Sequence, residues 1–143
     1  MTTGKFFAIL VMVTGFGNVQ AQHSAAAAQE GYAQVARTAI MKQFINEPGI
    51  ENKDVTMMIV DFPPKSASPA HIHPGPTFGY ILEGEVQSVF AGKTYHYKKG
   101  DPFYEFANGE HTDVRNTDPL KPAKLLVFYI ADKDKPTSVP IKK

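Results

Sequence analysis

The sequence predicts a single domain built almost entirely of β-strands, arranged as a sandwich or a barrel. Its 143 residues suffice for one domain of ordinary size. Eleven glycines and eleven prolines indicate many turns and short extended segments rather than long helices. β-Branched and aromatic runs recur with turn residues between them at a spacing of roughly 8–12 residues, which is typical of such all-β domains.

The strands are predicted in order from residue 38, because most of the extended runs end at a recognisable turn. Residues 38–45 stop before the turn at 46–49, and the apolar run 55–62 stops at Pro63-Pro64. The later runs are rich in aromatic and β-branched residues, and most of them end at glycine-containing turns. These later runs cover residues 70–73, 78–82, 86–90, 94–97, 103–106, 113–115 and 125–130.

The first 21 residues have the pattern of a secretory signal peptide. Lys5 is the only charged side chain in the first 29 residues, and residues 6–16 are mostly apolar. Small residues at 19 and 21 suit a signal peptidase, so we expect cleavage after Ala21. The protein is then periplasmic or secreted, with no stable membrane span. The alternative is an uncleaved anchor, although the apolar segment is shorter than the roughly 20 residues that a span needs.

The predicted domain organisation follows from these patterns. Residues 22–37 are rich in alanine and form a lead-in, either a short helix or an unstructured segment. The barrel is expected over residues 38–134, and residues 135–143 form a C-terminal tail. No internal repeat and no second domain are indicated.

Composition limits the chemistry that the domain can carry. The formal net charge of +1 gives no indication of a nucleic acid partner. The chain has no cysteine, which excludes disulfides, thiolate metal sites and cysteine nucleophiles. Any metal must therefore be bound by imidazole, carboxylate or other oxygen ligands.

Three histidines are the candidate metal ligands. His71 and His73 are separated by one residue, so on a strand both side chains point to the same face. His111 begins a later strand, just after an Asn-Gly turn, and could supply a third nitrogen. Imidazole suits divalent transition metals such as Fe, Mn, Ni or Zn. The alternative is that the pair lies on the surface, as we expect for the isolated His96.

Two longer motifs around these histidines are similar to those of the cupin family. Residues 71–84 read HIHPGPTFGYILEG, with the His-X-His and the final glycine of the first cupin motif. Residues 100–116 read GDPFYEFANGEHTDVRN, with the leading glycine and the histidine of the second. The chain thus resembles a cupin over residues 40–132. The resemblance implies a small single-domain cupin-type β-barrel, also called a double-stranded β-helix or jelly roll, and a homodimer.

The chain departs from the cupin motifs at several positions. Ser66 stands in a neighbourhood that lacks the leading glycine, and Thr77 stands where the family often has a glutamate ligand. Phe106 and Asn108 replace a proline and a glycine, and Asn116 falls one residue late, which a β-bulge could absorb. The loss of the glutamate predicts a site with three histidine ligands and open positions, or a barrel that binds a small molecule without metal.

Other residues near the motifs are candidates for roles in the same site. Thr77 could occupy a fourth position or contact substrate. Asp113 would share the face of His111 in a regular strand, where it could bond to a ligating imidazole, replace the missing carboxylate or act as a base; it could equally be exposed. Glu105 could carry a proton or support a ligand, or face solvent. The remaining candidates are aromatic residues of the pocket wall or core, namely Phe78, Tyr80 and Phe128.

Two functions remain open from the sequence. One is a metal-dependent, oxygenase-like or isomerase-like enzyme that acts on a small chelating or anionic substrate. The other is a non-catalytic barrel that binds a small molecule or a metal, as a sensor or accessory protein. The fold alone does not distinguish them, because one barrel hosts many chemistries.

Overall fold

In the computed structural model, the described part of the chain, residues 34–141, consists of eleven β-strands connected by turns. The predicted signal peptide and residues 22–33 of the lead-in lie outside it. Residues 34–141 contain no helix long and apolar enough to cross a membrane. The strands are β1 (Ala36–Glu47), β2 (Ile50–Phe62), β3 (Ala67–Ser68), β4 (His71–Ile72), β5 (Thr77–Glu83), β6 (Glu85–Phe90), β7 (Lys93–Lys98), β8 (Pro102–Glu105), β9 (Glu110–Arg115), β10 (Ala123–Asp132) and β11 (Val139–Pro140).

The strands form two antiparallel sheets that enclose one core. The first sheet has the order β1-β2-β10-β5-β8, and the second has the order β11-β4-β9-β6-β7, with β3 also paired to β9. Because neighbouring side chains on a strand alternate between faces, each sheet presents one row to the interior. The core between the sheets includes Val60, Phe62, Ile81, Val86, Val114, Leu125 and Val127. The prediction of an all-β jelly roll is confirmed.

The two ends of the described region extend beyond the predicted barrel. Strand β1 begins at Ala36, inside the predicted lead-in, and forms a hairpin with β2 through the turn at Pro48-Gly49. Gly49 has a φ of +88°, a left-handed conformation that glycine adopts without steric cost. At the other end, β11 lies in the predicted C-terminal tail and pairs with β4, so the tail completes the second sheet next to the His71 strand.

Strand β9 contains the bulge that the second motif suggested. Val89 on β6 pairs with Asp113, but the next residue, Phe90, pairs with His111. Thr112 is therefore an extra residue on β9 with no pairing partner on β6. Such an extra residue on one strand is a β-bulge. The bulge moves Asn116 one place along the chain while keeping it buried.

Asn116 makes four hydrogen bonds inside the fold. Its Nδ2 donates to the carbonyl oxygens of Phe62 and Pro63, each at 3.2 Å, and of Lys121 at 2.8 Å. Its Oδ1 accepts from the backbone N–H of Asp118 at 3.0 Å, and the residue is 2% exposed. The side chain thus ties the end of β2 to the loop that precedes β10.

We expect Asn116→Ala to lower the free energy of unfolding by about 2–4 kcal/mol, because it removes four hydrogen bonds between this side chain and the backbone. Urea unfolding measures the change. Asn46→Ala is the matched control, since the exposed Asn46 accepts one hydrogen bond from Asn52 and its loss should cost less than about 1 kcal/mol. Equal losses in the two variants would contradict the role of Asn116.

Candidate metal centre

Sheet pairing brings His71 and His111 together. His71 on β4 and His111 on β9 are register partners across the antiparallel pair. Their rings stack with centroids 4.9 Å apart and an angle of 8° between the planes. Residues that are distant in the sequence therefore become neighbours because β4 and β9 pair in this register.

His73 joins the other two from the loop that follows β4. Its ring centroid lies 4.8 Å from that of His71 and 5.4 Å from that of His111. One ring nitrogen from each of the three histidines lies within 4.8 Å of the other two. The structure thus brings His71, His73 and His111 into one cluster, and this cluster can hold a metal ion.

Hydrogen bonds on the far side of two rings fix which nitrogen faces the cluster. His71 Nδ1 lies 2.7 Å from the carbonyl oxygen of Pro69, and His73 Nδ1 lies 2.7 Å from that of Thr137. A carbonyl oxygen can only accept, so each Nδ1 carries the proton and each Nε2 keeps its lone pair. Acceptors of this kind orient metal-binding histidines and make them more basic ligands.

Burial keeps these rings neutral. Desolvation lowers the pKa of His71 to about 4, against the opposing effect of its bond to the Pro69 carbonyl. Desolvation likewise lowers the pKa of His73 to about 4, opposed by the Thr137 carbonyl. Both rings are therefore uncharged near neutral pH, with the lone pairs that a metal requires.

The cluster lies in a small cavity between the two sheets. The free volume of the cavity is about 50 Å³, which is room for an ion with a few waters or for a ligand of a few atoms. Arg37, an exposed residue that also lines the cavity, donates from Nη2 to Ser68 Oγ at 2.6 Å. The cavity lining also includes Thr77, Ser88, Tyr97, Phe103, Glu105 and Tyr129.

Thr77 and Glu105 both reach this cavity. Thr77 is fully buried on β5, and its register partner on β8 is Glu105, which is 5% exposed. Glu105 Oε2 lies 2.8 Å from His111 Nε2 and 3.8 Å from His73 Nε2. The two side chains therefore stand beside each other on neighbouring strands, with the carboxylate among the histidines.

Asp113 lies outside the cavity, contrary to the expectation that it shares the face of His111. The bulge at Thr112 breaks the alternation of β9, so the residue two places after His111 no longer points inward. Asp113 instead receives two hydrogen bonds from Arg115, at 2.6 and 2.7 Å. It does not line the cavity.

The aromatic residues predicted for the pocket wall are also placed elsewhere. Phe78 and Tyr80 are each 45% exposed, on the outer face of the first sheet, and their register partners on β10 are Phe128 and Leu126. Because Thr77 points inward, alternation requires Phe78 and Tyr80 to point outward. The same alternation puts Phe128 outside and Tyr129 inside. The phenylalanine and tyrosine side chains that line the cavity are Phe62, Tyr97, Phe103 and Tyr129.

Three contributors to the site were missed from the sequence. Tyr129 could have been found from the alternation of β10, whose inward row runs through Leu125 and Val127. Arg37 falls in the predicted lead-in, before the first predicted strand. The Thr137 carbonyl gives no sequence signal, because any residue type supplies a backbone oxygen.

A family comparison agrees with the fold and the position of the site. Residues 58–129, half of the chain, match the model of the cupin domain, Cupin_2. The chain belongs to the cupin family. The match contains all three clustered histidines and both Thr77 and Glu105. Comparison with curated proteins gives no significant match.

Solved structures of other proteins share this cupin fold. An uncharacterized conserved protein with a double-stranded β-helix domain from Klebsiella pneumoniae has a TM-score of 0.59 and 17% identity, and the alignment covers 82% of this cupin and 90% of that chain. The DMSP lyase DddQ from Ruegeria pomeroyi has a TM-score of 0.61 and 20% identity, over 82% of this cupin and 56% of that chain. Oxalate decarboxylase from Bacillus subtilis, described with Mn(II) centres, has a TM-score of 0.52 and 24% identity. The alignment covers 61% of this cupin and 24% of that chain.

We expect removal of the C-terminal segment to weaken metal binding without abolishing the fold. A cupin that ends at Lys135 lacks the Thr137 carbonyl and strand β11. Loss of such an orienting acceptor typically costs about 10–100-fold in metal affinity. Titration calorimetry of the metal-free protein measures the change. A cupin that ends at Ile141 is the control, and the same affinity in both truncated proteins would show that the Thr137 carbonyl has no part in the site.

Proposed function

We propose that this cupin binds one divalent transition metal through Nε2 of His71, His73 and His111, and that it acts on a small chelating or anionic ligand there. The observation that carries the proposal is the convergence of three imidazoles, two of them held neutral with their lone pairs free. Fe, Mn, Ni and Zn all accept such ligands. The donor set does not select among these metals.

The cavity also has features that suit an anionic ligand. When bound, a divalent metal would act as a Lewis acid and orient a chelating ligand. Arg37 supplies a guanidinium at the same cavity, held by its bond to Ser68. Guanidinium groups bind carboxylates with two parallel hydrogen bonds, so Arg37 would bind and align a small carboxylate.

An enzymatic role, oxygenase-like or isomerase-like, is the first candidate. Two structural neighbours are named as enzymes, a DMSP lyase and an oxalate decarboxylase with Mn(II) centres. Both share the fold of this cupin, and the oxalate decarboxylase is an example of that fold with Mn(II) centres.

The experiment begins with elemental analysis of the purified protein, for which we expect about one transition metal per chain. Oxygen consumption with Fe(II) is then followed across a panel of diketones, phenols and thiols, and product formation is followed across small carboxylates. Turnover by the wild type that is reduced in Arg37→Gln supports the enzyme with an anionic substrate. The proposed function would be refuted if the protein contained no metal by elemental analysis and bound none in titration calorimetry.

A non-catalytic metal-binding or small-molecule-binding barrel, acting as a sensor or accessory protein, is the second candidate. The small cavity favours it, because about 50 Å³ leaves little room for a substrate beside an ion. In this case small carboxylates bind to the metal-loaded protein in titration calorimetry, and none of the panel is turned over.

We also propose that the protein is exported after cleavage at Ala21. The support is the charge and hydropathy pattern of the first 21 residues. Intact-mass measurement of protein from the periplasm or culture medium should give a chain that begins at Gln22. A mass that includes residues 1–21 would contradict the proposal.

A homodimer is the proposed assembly. Strand β1 is a 12-residue edge strand of the first sheet. It exposes Ile40, Met41 and Phe44. An exposed edge with apolar side chains is a surface that proteins usually cover. Sedimentation velocity should give the mass of two chains, and a monomer at micromolar concentration would contradict the dimer.

A further inference from the structure

Glu105 is a buried carboxylate that has no role in the proposed function. It is 5% exposed and lies within the cavity. Its contacts with ionisable side chains are to the imidazole nitrogens of His111 and His73, and within residues 34–141 no lysine or arginine makes an ion pair with it. Burial of a carboxylate is costly unless a cation or several hydrogen-bond donors compensate the charge. The position of Glu105 therefore calls for a positive partner in the cavity.

The contact between Glu105 and His111 is not a hydrogen bond. Oε2 lies 2.8 Å from His111 Nε2, but the two groups are not aligned for a hydrogen bond. This buried nitrogen has no hydrogen-bond partner within the described residues. Two ligand atoms bonded to one ion at about 2.1 Å lie about 3.0–3.4 Å apart in octahedral or tetrahedral geometry. The distances of 2.8 and 3.8 Å to the two histidines bracket that range.

Sheet register explains how a carboxylate from β8 reaches the histidines. Thr77 occupies the position on β5 where the first motif usually has its glutamate, and Glu105 is the residue directly opposite on β8. Directly opposed residues of an antiparallel pair have Cβ atoms about 4.5–5.5 Å apart, on the same face of the sheet. A glutamate side chain spans that distance, so the carboxylate can serve the same cavity from the neighbouring strand.

We propose that Glu105 is the fourth protein ligand of the metal, in place of the glutamate that is absent at position 77. This inference rests on the proposed function, because it assumes that the three histidines bind the metal. The site then has three neutral ligands and one anionic ligand. Its net charge with a divalent ion is +1 rather than +2, which suits a small monoanion beside Arg37.

Glu105→Gln tests the proposal, because the amide keeps the shape of the side chain and removes its charge. Metal-free wild type and variant are titrated with Zn²⁺ and Mn²⁺ by calorimetry, and the Co²⁺ complexes are compared by visible absorption. We expect the dissociation constants to rise by more than the roughly 10–100-fold that follows the loss of a group that only orients a ligand. We also expect the Co²⁺ bands to shift, because the ligand set changes.

Controls separate failure of this inference from failure of the proposed function. Asp113→Asn removes a nearby carboxylate that bonds to Arg115 outside the cavity, and it should bind metal as the wild type does. Thermal melts of the metal-free proteins establish that each variant is folded. Should Glu105→Gln misfold, Glu105→Ala takes its place with the same expectation. If the wild type binds metal but the folded variant has an affinity within about threefold and an unchanged Co²⁺ spectrum, Glu105 is not a ligand. If the wild type binds no metal, the proposed function itself fails.

Discussion

Replacement of His71 and His73 together by alanine is expected to abolish stoichiometric metal binding. The two residues supply two of the three converging imidazoles, and His111 cannot hold a divalent ion against chelation by buffer, even with Glu105 beside it. We expect the affinity for Zn²⁺ or Mn²⁺ to fall by about 1,000-fold or more, since structural sites depend on their full ligand set. Titration calorimetry and elemental analysis of the purified variant measure the loss.

His96→Ala is the matched control for this variant. His96 is an exposed residue on β7, paired with Gln87 and absent from the cavity lining. Its replacement should leave the metal content unchanged. Metal retained at full stoichiometry in the double variant would mean that the ligands lie elsewhere, and metal lost in His96→Ala would contradict the assignment of the site.

Gly75→Ala is expected to cause the largest loss of stability of any single methyl addition in the loop that follows His73. A Cβ at residue 75 would lie 1.7 Å from the carbonyl oxygen of Ile130 and 2.8 Å from its carbonyl carbon. These are backbone atoms of β10, the central strand of the first sheet, and they cannot move aside as a side chain does. The loop is also bound there, because the Ile130 N–H donates to the carbonyl oxygen of Pro76 at 3.1 Å.

We expect Gly75→Ala to lower the free energy of unfolding by about 3–5 kcal/mol, through overpacking against backbone. Metal affinity should fall as well, because the displaced loop carries His73 and leads into Thr77. Denaturant unfolding of the metal-free protein measures the first effect. Gly92→Ala is the control: it has no atom within 4 Å but a φ of +76°, so its cost is limited to about 1–2 kcal/mol of backbone strain. Equal costs in the two variants would contradict this account of the loop.

Much of the fold could be predicted because its signals are local. Alternation in segments such as 125–130 and the turn at Pro48-Gly49 depend on neighbouring residues alone. The pairing of His71 with His73 on one face is likewise a property of any extended segment. The motif resemblance added His111, which no local pattern connects to the other two.

The positions of Asp113 and Glu105 depend on how two strands pair, whereas the outward position of Phe78 follows from its own strand. The bulge at Thr112 exists only relative to β6, so the position of Asp113 could not be read from β9 alone. The proximity of Glu105 to Thr77 depends on the register of β5 with β8. By contrast, Phe78 could have been excluded from the cavity at the outset, because Thr77 and Phe78 cannot both face inward on one strand.

Anomalous diffraction from crystals of the metal-loaded protein tests the central claim most directly. Data collected on the two sides of the absorption edge of the bound metal locate the ion without reference to any expected ligand. We expect one peak per chain in the cavity, about 2.0–2.3 Å from Nε2 of His71, His73 and His111. A peak bound to other residues, or an empty cavity in protein that holds stoichiometric metal, would contradict the claim.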